Sequence, residues 1–170
     1  MVEKLPVMLV SCKKIARETY EVTFSYEEKT FSFSAGQYVR ITIPKLAYED
    51  PDGNSRDFSI CSSPSAKGTF SIAFRYRGSG FKKTLIQAKK GFSVEITGPQ
   101  EICSFNMLDG KSAVFIAGGI GITPFLSIIR FAAEQKLPQK ILLLYGNNDK
   151  EHAAYLEELK KLESQNPNFK

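Results

Sequence analysis

From Tyr20 to Ile96 the chain alternates apolar and polar side chains with a period of two. Tyr20, Val22, Phe24 and Tyr26 are interleaved with Glu21, Thr23, Ser25 and Glu27, and Val39, Ile41 and Ile43 with Arg40 and Thr42. Phe70, Ile72, Phe74 and Tyr76 repeat the rule, as do Phe92, Val94 and Ile96. Short alternating runs divided by Gly, Pro and Ser turns predict half-buried strands of an antiparallel barrel or sandwich. Within this stretch only Lys83 to Lys90 reads as a brief helix.

After Asp109-Gly110-Lys111 the period changes. Ala113 to Ala117 is a continuous apolar run, which predicts a strand buried on both faces. Gly118-Gly119-Ile120-Gly121 leads into Thr123-Pro124 and an amphipathic stretch ending near Gln135, with Thr123 as the expected N-cap and Pro124 at the first helical position. Lys140 to Tyr145 reads as a second buried strand, and Ala153 to Ser164 as a second helix with Tyr155, Leu156, Leu159 and Leu162 inward. Strand, helix, strand, helix is the opening of a parallel α/β sheet, and a third strand should begin at Asn168-Phe169-Lys170. The expected fold class is therefore β followed by α/β: an antiparallel β-barrel over residues 1–105 and an incomplete parallel α/β domain over residues 106–170.

The chain has 170 residues, 42% of them hydrophobic and 24% charged, enough for a core without disulfide staples. No apolar run nears the roughly 18 residues of a membrane helix, and the N-terminus has no secretory pattern, so a cytoplasmic protein is expected. Cys12, Cys61 and Cys103 form no CxxC pair and His152 is the single histidine, which argues against a zinc site or an iron-sulfur cluster held by this chain. Cys61 and Cys103 are expected to be small buried hydrophobes, and His152 a solvated surface residue. Residues 1–105 carry 15 Lys and Arg against 11 Asp and Glu, so the net charge of +5 sits mainly in the first part, interleaved with acids. A nucleic-acid footprint is a denser basic stripe; an anionic cofactor or an acidic protein partner suits this bias as well.

Two segments carry candidate chemistry. Arg56-Asp57-Phe58-Ser59-Ile60-Cys61-Ser62-Ser63-Pro64 combines a guanidinium that can fork onto phosphate, an aromatic face and a small hydroxyl, which suits a flavin. By itself the string is equally a surface arginine, a core phenylalanine and turn serines. Gly118 to Pro124 lacks the full GxGxxG spacing, and its glycines serve close packing or the approach of a pyrophosphate to backbone N–H groups.

Taken in order, these motifs resemble the ferredoxin-NADP reductase-like family of flavoprotein oxidoreductases. Arg56-Asp57-Phe58-Ser59 is similar to that family's arginine-x-tyrosine-serine flavin motif, and Gly118 to Pro124 to its glycine-rich nicotinamide motif ending in threonine-proline. Gly98-Pro99 and Tyr145-Gly146-Asn147 match two further turns. The resemblance implies that Arg56 binds the flavin pyrophosphate, Phe58 stacks on the isoalloxazine and Ser59, the catalytic candidate, lies near its N5. It also implies that Arg75 and the Gly80-Phe81-Lys82 backbone contact the diphosphate and ribityl part. Gly118, Gly119, Gly121, Thr123 and Pro124 would face the nicotinamide nucleotide. The cofactor would be FAD, with FMN as the alternative, and the co-substrate NADPH or NADH. Electrons would pass to a ferredoxin, iron-sulfur or haem protein or domain.

The sequence departs from the family pattern in places. Phe58 replaces tyrosine, Lys82 stands where serine is common, Gln100-Glu101-Ile102 replaces a glycine, and Asn148 occupies a frequent arginine position. The family's C-terminal cysteine-glycine-proline motif is absent. The open sheet and apolar helix faces near Leu156 and Leu159 favour pairing with another chain. The rival readings are a non-catalytic flavin-binding or interaction module and, more weakly, a basic barrel for nucleic acid, which the inward alternation of the aromatics disfavours.

Overall fold

The computed structural model describes residues 4–101 and 111–170. Cys103, the 105/106 domain boundary and the Asp109-Gly110 turn lie outside the described residues.

The alternating half forms six antiparallel strands: β1 (Leu5–Ala16), β2 (Thr19–Ser25), β3 (Tyr38–Thr42), β4 (Ser55–Ser59), β5 (Thr69–Arg75) and β6 (Ser93–Gln100). They pair in the order β4-β3-β6-β1-β2-β5. An antiparallel bridge between Ile60 and Ile72, with the Cys61 N–H donating to the Ser71 carbonyl at 2.8 Å, joins the two ends. That closure turns the sheet into a barrel and removes its exposed edges. The alternation places Val22, Phe24, Val39, Ile41, Phe70, Ile72, Val94 and Ile96 inside, each at 1% exposure or less.

Helix α1 runs from Gly80 to Gln87, three residues earlier at each end than the lysine-rich pattern suggests. The reason is local: Ser79 accepts a hydrogen bond from the Lys82 N–H as N-cap, and Phe81 and Leu85 are wholly buried on the barrel's inner side. A preceding segment crosses this helix start at very short range. A Cβ on Gly80 would lie 2.1 Å from the Glu49 carbonyl oxygen and 2.7 Å from that of Tyr48.

The second half contains β7 (Ala113–Gly118), α2 (Thr123–Glu134), β8 (Ile141–Gly146) and α3 (Leu156–Gln165). β7 and β8 pair in parallel from Ala113–Ile141 to Gly118–Gly146. The third strand expected at Asn168-Phe169-Lys170 begins there: Phe169 bridges Ile141 in parallel, and the Leu143 N–H donates to the Lys170 carbonyl at 2.7 Å.

Burial on both faces of these strands is not observed. Phe115, Ala117 and Ile141 pack against Leu126, Ile129 and Leu159 on one face, while Val114 and Ile116 on the other are 61% and 74% exposed, alongside Leu142 and Leu144. Both helices lie on the side that faces the barrel, so a continuous apolar run here carries one packed face and one open face. Thr123 is likewise not an N-cap. The backbone enters α2 from a 3-10 turn, Gly119–Ile122, and Thr123 is already helical, its hydroxyl donating back to the Ile120 carbonyl at 3.1 Å. Pro124 does lie in the first turn, where a missing N–H costs nothing.

The second helix starts later than Ala153. Asp149 caps a short turn, Lys150–His152, through the His152 N–H, and Tyr155 then takes a left-handed backbone (φ 63°) before α3 begins. His152 is not a solvated residue: its side chain is 17% exposed and its Nδ1 lies 2.7 Å from Asp149 Oδ1.

The tight crossing at α1 yields a stability prediction. Gly80→Ala forces the Tyr48-Glu49 backbone away from the helix, an overpacking expected to cost about 1–3 kcal/mol. Urea denaturation of both proteins checks this; an unchanged midpoint would show that the crossing segment is not held against the helix.

Candidate functional site

The two halves are joined by a polar layer. Arg130 of α2 donates through Nε and Nη2 to both carboxylate oxygens of Glu158 (2.6 and 2.8 Å) and through Nη1 to the Cys61 carbonyl (2.7 Å). Its Nη2 also lies 3.8 Å from Glu21 of β2. Tyr155 donates its hydroxyl to Glu21 at 2.8 Å, and its ring stands under the Arg130 guanidinium. Burial opposes the charge of Arg130, yet the hydrogen bonds and charge of Glu158 outweigh it and raise its pKa. Ser127, one turn before, donates to the Ser62 carbonyl at 2.6 Å, and Ser63 bonds Glu134 one turn after. One face of α2 thus reads the consecutive residues 61, 62 and 63. Cys61 is wholly buried as expected, and burial pushes its thiol up to about 12, which leaves it protonated and unreactive.

This docking creates a cavity of about 920 Å³ between the halves. Its barrel wall is Phe58, Ser59, Phe74, Arg75, Arg77 and Lys82. Its opposite wall is the loop Gly118 to Gly121 with Thr123, and the turn Gly146-Asn147-Asn148 after β8. The Phe58-Ser59 segment and the glycine loop, about sixty residues apart in sequence, therefore face one space. Gly119 takes φ 50°, a left-handed backbone that glycine adopts without strain, and an added Cβ there would come into ordinary contact with the Arg75 guanidinium at 3.6 Å.

The site residues expected from sequence divide into two groups. Phe58, Ser59, Arg75, Lys82, Gly118, Gly119, Gly121 and Thr123 line the cavity. Phe58 is 8% exposed, with its ring stacked on Phe81 at 5.9 Å between centroids and tilted against Phe74. Thr123 turns its hydroxyl to the Ile120 carbonyl. Arg56, Gly80, Phe81 and Pro124 are not on the lining. Phe81 is core, Gly80 is the crossing point described above, and Arg56 is turned into the 50–55 loop, where Nη2 donates to Asp50 at 2.6 Å.

The sequence points to neither Arg77 nor Asp50, and to Asn147 only as part of the Tyr145-Gly146-Asn147 turn. Arg77 follows Arg75 at the strand's alternation, a signal available in the sequence. Asp50 has none beyond the acid-rich turn in which it lies. The Arg75 Nε and the Asn147 Oδ1 are buried with no hydrogen-bond partner. Buried polar atoms of this kind beside a large cavity fit a polar ligand that completes them. Burial lowers the pKa of Lys82, and repulsion from Arg56 and Arg77 adds to it against the attraction of Asp50. The wall's one carboxylate, Asp57, is held by Arg40 through two bonds of 2.7 and 2.8 Å.

Residues 115–170 match the family described as oxidoreductase NAD-binding domain. The chain is 34% identical over 134 residues to the dihydroorotate dehydrogenase B (NAD(+)) electron transfer subunit of Caldanaerobacter subterraneus subsp. tengcongensis, covering 79% of this chain and 50% of that protein. It is 29% identical over 160 residues to phthalate dioxygenase reductase of Burkholderia cepacia, covering 91% and 47%. Among solved structures, the Amycolatopsis cytochrome P450 reductase GcoB superposes with a TM-score of 0.81 at 23% identity, covering 99% of this chain and 50% of that one. Phthalate dioxygenase reductase, described as modular for electron transfer from pyridine nucleotides to [2Fe-2S], superposes at 0.79 and 24%, covering 98% and 50%. The barrel followed by α/β architecture is thus shared with these structures. The chain spans about half the length of these curated relatives.

Asp50 provides a pH prediction. Its carboxyl is held down to about 2 by the Ser79 hydroxyl first, then by the Phe81 N–H, the Asp52 N–H and the Arg56 charge, against the opposing effect of burial. A depressed folded pKa gives stability that is complete above the ordinary carboxylate value of about 4 and is lost as pH falls toward the folded value. Thermal unfolding of the wild type should therefore lose Tm more steeply than that of Asp50→Asn between about pH 4 and about pH 2. Parallel pH profiles would show that Asp50 is not so held.

Proposed function

We propose that this chain, which belongs to the ferredoxin-NADP reductase-like oxidoreductases, is the flavin-binding barrel and the first part of the nicotinamide-nucleotide domain of an NAD(P)H-dependent reductase. Residues 1–105 make up the first unit and residues 106–170 the second. The observation that carries the reading is the shared cavity: the Phe58-Ser59 segment and the Gly118–Gly121 loop face each other across it, beside three cationic side chains.

A flavin held there, FAD or FMN, supplies the redox chemistry, taking a hydride equivalent and releasing single electrons. The protein's part is binding and orientation. Phe58 presents an aromatic surface braced from behind by Phe81 and Phe74, which limits its rotation. Ser59, at the end of β4, offers a hydroxyl to the ring edge. Gly118, Gly119 and Gly121 carry no side chains to obstruct a nicotinamide nucleotide, NADH or NADPH, approaching the same space, and Ile120 is the one side chain that this loop adds to the lining. The polar layer of Arg130, Glu158 and Tyr155 holds that loop at a set distance from Ser59. Hydride transfer requires reacting atoms within about 3–3.5 Å, so this docking is a condition for reaction.

The electron acceptor is a separate redox protein or domain of iron-sulfur or haem type. Relatives named as electron transfer subunit, monooxygenase component and dioxygenase reductase support this. Among the described residues no helix is long and apolar enough to cross a membrane, and a cytoplasmic location is the setting in which such soluble donors and acceptors meet.

Titration of the purified chain with FAD and FMN, followed by flavin absorbance and fluorescence, tests this reading. The expected result is a quenched, protein-bound flavin whose colour bleaches on anaerobic addition of NADH or NADPH. Phe58→Ala should lose about 0.5–1.5 kcal/mol of flavin binding, roughly two- to tenfold, and regain fluorescence. No bound flavin in the wild type would overturn the proposal, and bound flavin inert to both nucleotides would favour a flavin-binding module.

A further inference from the structure

The β1–β2 hairpin closes on two residues, Arg17 and Glu18, between the paired Ala16 and Thr19. Glu18 is exposed and takes a left-handed backbone (φ 53°), which a two-residue hairpin turn normally gives to glycine or asparagine. Among the described residues the other non-glycine positions of this kind are Lys136 and Tyr155. Lys136 directly follows the C-cap of α2, where the conformation is ordinary. Tyr155 instead precedes α3, where an extended backbone is usual. Glu18 and Tyr155 both lie where the barrel meets the turn after β8, and such backbone strain persists only where the surroundings hold it.

The hairpin tip is bonded to the segments that carry both walls of the cavity. The Arg17 N–H donates to the Glu151 carbonyl at 2.8 Å, and the Glu18 carbonyl accepts from the Tyr76 N–H at 2.7 Å. Tyr76 lies between Arg75 and Arg77 of the barrel wall, and Glu151 lies three residues after Asn148 of the opposite wall. The tip is itself braced, because the wholly buried Thr19 donates its hydroxyl to the Arg17 carbonyl at 2.9 Å. At the far end of the turn, Tyr155 donates to Glu21 of β2 at 2.8 Å, and Ile15 and Ala16 pack against the apolar cluster that holds Ala154 and Tyr155. The Arg17–Glu151 ion pair, at 3.5 Å and exposed on both sides, adds little to these backbone bonds.

We propose that the Arg17-Glu18 turn is a clip that sets the separation of the cavity's two walls, and that Glu18 and Tyr155 are positioning residues for the nicotinamide nucleotide. Glu18 acts through its backbone conformation, which aims the Arg17 N–H at one wall segment and its own carbonyl at the other. Tyr155 acts by fastening the end of the 147–155 turn to β2. The inference rests on the functional reading above, and it adds to the Arg130 layer a second fastening that reaches the Asn147-Asn148 turn.

Four proteins test it: wild type, Glu18→Gly, Glu18→Val and Tyr155→Phe. Glycine keeps the left-handed turn, whereas a β-branched residue resists it, and the exchanged side chain is exposed in both cases. Phenylalanine keeps the ring under Arg130 and loses the bond to Glu21. With FAD bound, the saturating rate of flavin reduction by NADH or NADPH in anaerobic stopped flow should fall about ten- to a hundredfold in Glu18→Val and Tyr155→Phe, the cost of misplaced reactants, and hold in Glu18→Gly. Flavin affinity should stay within about twofold in all four, because neither residue lines the cavity. Amide exchange by NMR follows the clip directly. The Arg17 and Tyr76 amides should be protected in wild type and Glu18→Gly and exchange about tenfold faster in Glu18→Val, with β3 unchanged; Tyr155→Phe should free that of Arg17. Should circular dichroism show Glu18→Val unfolded, Glu18→Ala, with its smaller penalty, takes its place. Equal reduction rates in all four proteins would overturn the positioning role and leave the functional reading standing. A loss in Glu18→Gly as large as in Glu18→Val would also overturn it, by tying the effect to the side chain. If the wild type takes up no flavin, or one that neither nucleotide reduces, the functional reading fails and exchange decides the clip alone: faster Arg17 and Tyr76 amides in Glu18→Val support it, and unchanged ones refute it.

Discussion

The contact on which the rest of the arrangement depends is that of Arg130 with the Cys61 carbonyl and the Glu158 carboxylate. Cys61 lies two residues after Ser59, and Arg130 lies on the helix that begins directly after the glycine loop. One guanidinium therefore joins the two motif segments with few intervening bonds. Its planar fork fixes direction as well as distance, which a lysine could not do. The buried charge is tolerable because Glu158 and Glu21 answer it and a carbonyl takes the remaining donor. Beside that layer, Cys61 and Ala73 of the barrel share one apolar cluster with Phe115, Leu126 and Ile129 of the α/β unit, so the two halves meet through packing as well as charge.

Charge is partitioned around the cavity in a way that the net value of +5 conceals. Arg40 is matched by Asp57, Arg56 by Asp50 and Arg130 by Glu158. Arg75, Arg77 and Lys82 are left to the cavity. The matched pairs shape loops and domain contacts; the unmatched group gives the open volume its electrostatic character. Proximity among like charges is unfavourable unless something negative arrives, which gives a bound anion a reason to be there.

The parallel sheet shows the same economy of faces. α2 and α3 cover the side of β7 and β8 that looks toward the barrel, and Phe169-Lys170 adds backbone pairing to β8. The other side presents Val114, Ile116, Leu142 and Leu144 to solvent. Parallel sheets ordinarily carry helices on both faces, so this surface is apolar for a structural reason and not as a scattered set of hydrophobes.

Period-two alternation was enough to read the barrel strands, because one buried face leaves its mark on every second residue. The change of period after residue 110, the order of the motifs and the start of a strand at Phe169 were equally legible, since each depends on neighbours in sequence. The Gly118 to Pro124 loop was readable for the same reason, as backbone conformation is set within a few residues. The apolar run of β7 predicts burial on both faces and only one face is covered, because such a run says what a strand could bury and not which elements exist to bury it. Thr123 lost its expected cap because a 3-10 turn upstream had already wound the backbone. The fate of each cation was beyond local reading altogether. Whether Arg56 meets a ligand or Asp50, and whether Arg75 and Arg77 meet a carboxylate or open space, depends on the barrel's closure and on the docking of α2. Electrostatic pairing acts through space, and chain order does not encode which charges come within a few ångströms.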